Sequence, residues 1–142
     1  MDDEFDLRRF VDAQATVYPQ VVAELSNGRK RTHWMWFFFP QIAGLGFSAM
    51  SQRFAIGSRN EAAAYLEHEL LGPRLLECTR LVMAASESTI TDILGSPDDA
   101  KFRSCMTLYD AVSKHEIFAA IAAFSPDGKD RATLDLLQKL GS

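Results

Sequence analysis

SPDDAKFRSCMTLYDAV (residues 96–112) carries the clearest helix signal in the chain. A serine can cap a helix by accepting from a first-turn amide, and proline fits the first helical position. The two acids that follow favour the positive end of the helix dipole. Apolar residues then recur at helical spacing, at positions 102, 105, 106, 109 and 112. The stretch therefore predicts a helix capped by Ser96, begun by Pro97 and buried on one side.

Similar signals for the start and end of a helix recur along most of the chain. Pro19 can open a helix that stops at Gly28. Ser58 begins a capping box, which Glu61 completes by reaching back to the start of its helix. The Gly-Pro pair at 72–73 is predicted to close that helix and to open another.

The C-terminal part of the chain continues this pattern. A short apolar helix is predicted over 117–124, and Asp130 is predicted to cap the last helix. No segment alternates apolar and polar residues as a half-buried strand would. The predicted fold class is therefore all-α, with one compact domain over residues 1–142 that contains about seven short helices.

Composition and charge narrow the class of protein. The chain has 142 residues, 47% hydrophobic and 24% charged, with a net charge of −4. Such a chain can bury a core without a metal or disulfide, and its charge argues against nucleic acid as a partner. The start, MDDEFD, is acidic where a secretory signal is basic, and no apolar run approaches the ~18 residues that cross a membrane. We expect a cytoplasmic protein, away from membranes, with Cys78 and Cys105 reduced.

The stretch RKRTHWMWFFFP (29–40) sets three cations and a histidine against six large apolar side chains. WMWFFF has no period, so it fits either a buried strand or a short buried helix. With Thr32 available as an N-cap, we predict a short helix that ends before Pro40. Most of the rings are predicted to be core, although the indoles of Trp34 and Trp36 would each need a hydrogen-bond partner there.

The junction between cations and rings is the best candidate for a site. Arg29, Lys30 and Arg31 precede the predicted helix, and His33 would lie in its first turn. Free amides, a positive dipole end and cations together favour anions, and a nearby indole could stack on a base or sugar. The alternative is a solvated basic turn after Gly28.

Other motifs give weaker signals. GLGFSA (44–49) matches G-x-G-x-x-A, but no alternation of strands and helices surrounds it, so its glycines indicate a tight turn or a close approach to a ligand. The histidines and cysteines lack metal-ligand spacing, and we expect no metal or cofactor. Lys101, Ser104 and Thr107 leave the apolar stripe of their helix. They form either a solvated face or the polar wall of a pocket.

Four segments have an unusual combination of residues: THWMWFFFPQIAGLGFS (32–48), EAAAYLEHELLGPRLLE (61–77), GSPDDAKFRSCMTLY (95–109) and DRATLDLL (130–137). Together they resemble a bacterial family known only as a domain of unknown function (DUF1810), some of whose members are labelled calpastatin. The resemblance implies a compact, mainly helical domain and brings no established activity. Calpastatin itself is disordered and repeat-bearing, which does not fit this aromatic-rich chain without repeats.

The family motif concentrates on polar or special-backbone positions rather than on generic core. These are His33, Trp34, Trp36, Gln41, Gly44, Gly46, Lys101, Ser104 and Thr107. The first hypothesis is therefore a pocket for a small anionic ligand, such as a nucleotide or an ADP-ribose-like molecule. Arg31 and His33 would meet the anion, Trp36 would stack, and Gln41 and Ser104 would fix orientation.

Two other functions stay open. If the pocket is catalytic, His33 is the predicted acid–base residue, because histidine exchanges protons near neutral pH. The alternative is a non-enzymatic interaction module, for example a homo-oligomer joined through exposed aromatics, with an apolar surface patch. Nucleic-acid binding through residues 29–31 would need more positive surface than the net charge provides.

Overall fold

The computed structural model describes residues 3–85, 89–119 and 128–140. In these ranges the structure is all-α, as predicted, and helical residues 116–119 reach the edge of the second range. Most of the predicted helix 117–124 lies outside the described residues. Nine helices with defined ends lie within the described ranges: α1 (Arg8–Ala15), α2 (Tyr18–Ser26), α3 (Met35–Phe38), α4 (Ala49–Arg53), α5 (Arg59–Glu67), α6 (Leu71–Ala84), α7 (Ile90–Leu94), α8 (Asp98–Val112) and α9 (Arg131–Leu140).

Two of these nine helices, α4 and α7, have no counterpart among the predicted helices. Helices α3, α4 and α7 have only four or five residues each, too short to show a period. The two longest helices, α6 and α8, organise the core. Helix α8 packs against α5, α7 and α9, and α6 packs against α2, α3 and α5.

Helix α8 confirms the predicted buried stripe but corrects its start. Phe102, Cys105, Met106 and Tyr109 are fully buried. The helix begins at Asp98, one residue later than predicted, and no side chain caps it. The predicted N-cap at Ser96 is therefore wrong, and the backbone carbonyl of residue 95 accepts from the amide of residue 99 instead.

The predicted capping box at the start of α5 is half formed. The Ser58 hydroxyl accepts from the amide of Glu61 at 3.1 Å, as predicted. The Glu61 carboxylate reaches back one residue further, to the amide of Gly57 at 2.9 Å, and its other oxygen accepts from Arg9 at 2.7 Å. The same guanidinium donates to the carbonyls of Arg53 and Ala55, so it ties α1 to the connection between α4 and α5.

The aromatic stretch forms a short helix, as predicted, and most of its rings are core. Helix α3 ends before Pro40, but Thr32 does not cap it, because the residue that precedes its first turn is Trp34. His33 therefore lies before the helix and not in its first turn. Phe38 and Phe39 are fully buried, as are most of their neighbours in this stretch.

The turn between α5 and α6 leaves no room for a side chain at Gly72. The predicted boundary at the Gly-Pro pair is wrong, since both residues lie in the first turn of α6. A β-carbon on Gly72 would lie 2.0 Å from the carbonyl oxygen of Leu66. That oxygen belongs to the backbone of α5 and cannot rotate away, so the close approach of the two helices requires glycine.

We expect Gly72→Ala to destabilise the fold by about 3 kcal/mol, because the clash forces a backbone shift between two packed helices. Chemical denaturation of the purified chain measures the effect. Gly57→Ala is the matched control, since its added carbon would make an ordinary contact, 3.4 Å from the Glu61 carboxylate. Equal stability of the two variants would contradict the packing described for Gly72.

Candidate functional site

A buried carboxylate organises the cationic stretch. Glu24, on α2, is 3% exposed and accepts five hydrogen bonds. Two come from the amide and hydroxyl of Thr32, at 3.0 and 2.6 Å, and one comes from the amide of Arg31 at 2.6 Å. The others come from the Trp34 indole at 3.0 Å and the Gln20 amide at 2.9 Å. Glu24 therefore fixes the path of the chain into α3.

These donors also set the protonation of Glu24. Burial by itself raises the pKa of a carboxyl group, because it penalises the charge. Hydrogen bonds from Thr32, Arg31, Trp34 and Gln20 outweigh burial here and lower the pKa of Glu24 from 4.5 to about 2. The carboxylate is therefore ionised at neutral pH and acts as a structural anchor.

An aspartate on α8 joins the cationic stretch to the polar face of that helix. Asp98 pairs with Lys30 at 2.9 Å and with Lys101 at 3.5 Å. Each ammonium also lies over an indole, Lys30 at 5.2 Å from the Trp34 ring and Lys101 at 5.1 Å from the Trp36 ring. Two segments far apart in sequence thus meet through alternating charges and rings.

Lys101 lines a cleft of about 240 Å³. Its walls come from the loop before α4, from the start of α8 and from the residue that precedes α9. The lining residues are Gln41, Leu45, Gly46, Ser51, Pro97, Ala100, Lys101, Ser104 and Asp130. Four of them, Gln41, Gly46, Lys101 and Ser104, belong to the site predicted from the sequence.

The loop over 41–48 is braced on both sides. At its start, Ile42 and Ile56 form an isolated parallel bridge, with the amide of residue 43 donating to the Ile56 carbonyl at 2.8 Å. Gly44 has a φ of +102°, and a β-carbon there would lie 3.0 Å from Leu136 of α9. This loop therefore packs directly against α9.

Gly46 brings the loop onto α4. A β-carbon at Gly46 would lie 2.5 Å from both the β-carbon and the hydroxyl oxygen of Ser51. Rotation of the serine would move only its oxygen, so the contact requires glycine. Both glycines of the G-x-G motif thus serve close backbone packing around the cleft, and neither opens a helix of the dinucleotide-binding kind.

A hydroxyl–carboxylate pair forms the opposite wall of the cleft. The Ser104 hydroxyl lies 2.9 Å from a carboxylate oxygen of Asp130, which also accepts from the amide and hydroxyl of Thr133 and so caps α9, as predicted. Arg103 approaches the other carboxylate oxygen at 3.5 Å. Thr107 is buried below, where its hydroxyl oxygen accepts from the Asp130 amide at 2.9 Å.

These contacts divide the cleft into donors and acceptors. The Ser104 proton is used by Asp130 or by the carbonyl of Ala100, so the Ser104 oxygen can only accept from a ligand. Ser51 accepts from Ser48, which leaves its own proton available to donate. Lys101 supplies further N–H donors. A ligand with an acceptor or anionic end and a hydroxyl end would match this arrangement.

The other predicted site residues lie outside the lining of the cleft. Arg31 and His33 are exposed on the turn before α3, and Trp34 is buried against Glu24. Trp36 is half-buried beside Lys101, and its indole N–H is buried without a hydrogen-bond partner among the described residues. Thr107 supports Asp130 from within the fold.

The structure adds residues that the sequence did not indicate as parts of the site. Ser51 stands in an ordinary helical position, and the sequence indicates Asp98 only as an acid in the first turn of its helix. Asp130 was predicted only as a helix cap, yet its carboxylate also holds Ser104. Glu24 has no signal in the sequence, because four of its five hydrogen bonds come from donors seven to ten residues away on a turn.

The described ranges contain neither a cluster of metal-ligating side chains nor a membrane-crossing helix. No group of three or more His, Cys, Asp or Glu side chains is placed to hold an ion together. No helix there is long and apolar enough to cross a membrane.

The family model described as "Protein of unknown function (DUF1810)" matches residues 4–137. The chain belongs to this family. The resemblance seen in the four sequence segments is thereby confirmed. No curated protein matches the chain significantly.

A solved structure extends the comparison to the fold. It is the crystal structure of the conserved hypothetical protein Rv1873 from Mycobacterium tuberculosis, at 1.38 Å. The two chains are 52% identical and superpose with a TM-score of 0.93, over 96% of this chain and 99% of the other. This DUF1810 member and the mycobacterial protein therefore share one all-α fold.

We expect Glu24→Gln to destabilise this DUF1810 member by about 2–4 kcal/mol, because five donors would meet a neutral amide whose nitrogen cannot accept. The pKa of Glu24 is lowered on folding, so its contribution is complete above pH 4.5 and is lost as the pH falls towards 2.

The variant should therefore show a flatter dependence of unfolding free energy on pH across that window. Denaturation with urea at several pH values measures it. Glu69→Gln, the same change at an exposed position, is the control and should match the parent. A parent-like pH profile in Glu24→Gln would contradict the anchoring role.

Both thiols should be unreactive in the folded protein. Burial is the main cause that raises the pKa of Cys78 to about 12 and the pKa of Cys105 well above its ordinary value. We expect no reaction with a thiol-specific disulfide reagent at about pH 8, because the thiolate is the reactive form. After unfolding in guanidinium, both cysteines should react. Rapid native reaction of either thiol would show that it is accessible.

Proposed function

We propose that this DUF1810 member binds a small anionic ligand in the cleft between residues 41–48, α8 and the start of α9. The observation that supports this most is the convergence of Gln41, Lys101 and Ser104, from distant parts of the sequence, on one cleft of about 240 Å³. Side chains that only cover a solvated helix face would have no reason to meet a glycine-braced loop in this way.

The balance of charge favours an anion. Lys101 lines the cleft and shares the carboxylate of Asp98 with Lys30, so two ammonium groups pair with one carboxylate. Both Asp98 and Asp130 already have partners of opposite charge. The cleft also includes the first turn of α8, whose dipole is positive at that end. An anionic group in the cleft would give Lys101 a partner that it does not share with Lys30.

The size of the cleft limits the ligand. Small-molecule sites usually measure about 300–1,000 Å³, and this cleft is smaller. It accommodates a compact anion, or the anionic part of a larger molecule such as a nucleotide or ADP-ribose. His33 and Arg31 lie on the exposed turn beyond the lining, so their roles as acid–base residue and anion contact stay predictions.

Binding to a panel of phosphate compounds tests the proposal. Inorganic phosphate, ribose 5-phosphate, AMP and ADP-ribose are added to the full chain, and melting temperature and tryptophan fluorescence are followed. We expect at least one compound to raise the melting temperature, because a ligand that binds only the folded state stabilises it. No response to any member of the panel would overturn the proposal.

Lys101→Met locates the site once a ligand is found. Loss of the ammonium should weaken binding by about tenfold or more, since a charge-assisted contact contributes over 1 kcal/mol. Lys139→Met, at an exposed position in the last turn of α9, is the matched control and should bind like the parent. Equal affinity in both variants would place the ligand elsewhere.

The interaction-module alternative stays a prediction. A homo-oligomer would bury a contiguous apolar surface, and light scattering over a range of protein concentrations in the same samples measures the mass directly.

A further inference from the structure

Phe47 has no packing role in the described structure. Its side chain is 84% exposed, whereas Leu70, Met83 and Leu140, the other exposed large apolar residues among those described, are 38–43% exposed. A benzyl group in water gives the fold nothing, because aromatic side chains stabilise proteins through the area they bury.

The backbone that carries Phe47 is nevertheless firmly held. Its carbonyl accepts from the Gln52 side chain at 3.0 Å, and the next residue, Ser48, caps α4 by accepting from the Ser51 amide at 3.1 Å. On the other side, Gly46 touches Ser51 too closely to admit a β-carbon. The backbone at Phe47 is therefore held at a fixed place on a braced turn, while the ring stays exposed for a partner.

Phe47 adjoins the lining of the cleft in sequence. Leu45 and Gly46, immediately before it, line the cleft, and so does Ser51 one turn later. The cleft itself is too small for a complete nucleotide, so a ligand with a phosphate near Lys101 would extend outward past this loop.

Trp36, the predicted stacking residue, is less available for that role. Its ring is half-buried, and the ammonium of Lys101 already lies 5.1 Å from the ring centroid. Among the rings near the cleft, Phe47 has the free surface that stacking needs.

We propose that Phe47 stacks on a heteroaromatic ring of the ligand, so that the ligand class is a nucleotide with its phosphate beside Lys101 and its base against Phe47. This inference rests on the proposed function and specifies the class of ligand that the cleft binds. Stacking accounts for the exposed ring, the braced backbone and the small cleft together, since each part of a nucleotide then meets a matching surface.

Isothermal titration of AMP and ribose 5-phosphate separates the two proposals, because these compounds share the phosphate and pentose and differ in the base. We expect Phe47→Ala to weaken AMP binding by about tenfold, within the range measured for stacking of a base on an aromatic side chain. Binding of ribose 5-phosphate should not change, and Phe47→Tyr should bind AMP like the parent.

Met83→Ala removes another exposed apolar side chain, on α6, and is the control that should leave both affinities unchanged. If the parent binds both compounds and Phe47→Ala weakens neither, or weakens both equally, the stacking role is overturned while the anion site stands. If the parent binds neither compound nor any other member of the panel, the proposed function itself fails.

Discussion

The carboxylate of Glu24 is the constraint on which the cationic turn depends. A buried charge is costly unless its lone pairs are satisfied, and here donors from Arg31, Thr32 and Trp34 satisfy them. Because these donors include backbone amides, the carboxylate fixes main chain as well as side chains. Their positions in turn place Lys30 where it reaches Asp98 on α8.

Asp98 extends this series of contacts into the cleft. Its second oxygen pairs with Lys101, which stands in the cleft wall beside Ser104. The far wall is fixed independently by Asp130, which caps α9 and holds Ser104 through the same carboxylate oxygen. Two carboxylates thus hold the backbone on either side of the cleft: Glu24 holds the turn before α3, and Asp130 caps α9.

Sequence patterns predict most of the fold and about half of the cleft. The helix stripe of α8 and the cap at Asp130 are local features, and both are confirmed. The predicted start of α8 is wrong because a backbone carbonyl replaces the expected side-chain cap, and the predicted boundary at Gly72 is wrong because the glycine lies inside α6 at a close helix contact. A local sequence pattern cannot reveal these differences, because the groups that decide the helix ends come from contacts in the tertiary fold.

Prediction from local sequence meets the same limit at the cleft. Gln41, Gly46, Lys101 and Ser104 were grouped through family resemblance and do converge on one cleft. No sequence pattern singles out Glu24, because a glutamate on a helix usually faces solvent, and only the turn over residues 31–34 makes it an anchor.

The pairing of each lysine with an indole has a spectroscopic consequence. Lys30 lies over Trp34 and Lys101 over Trp36, and one aspartate links the two ammonium groups. The chain has only these two tryptophans. If an anion binds at the proposed site and draws Lys101 away from Asp98, the electric field at both fluorophores would change, so intrinsic fluorescence would report that binding without an attached dye.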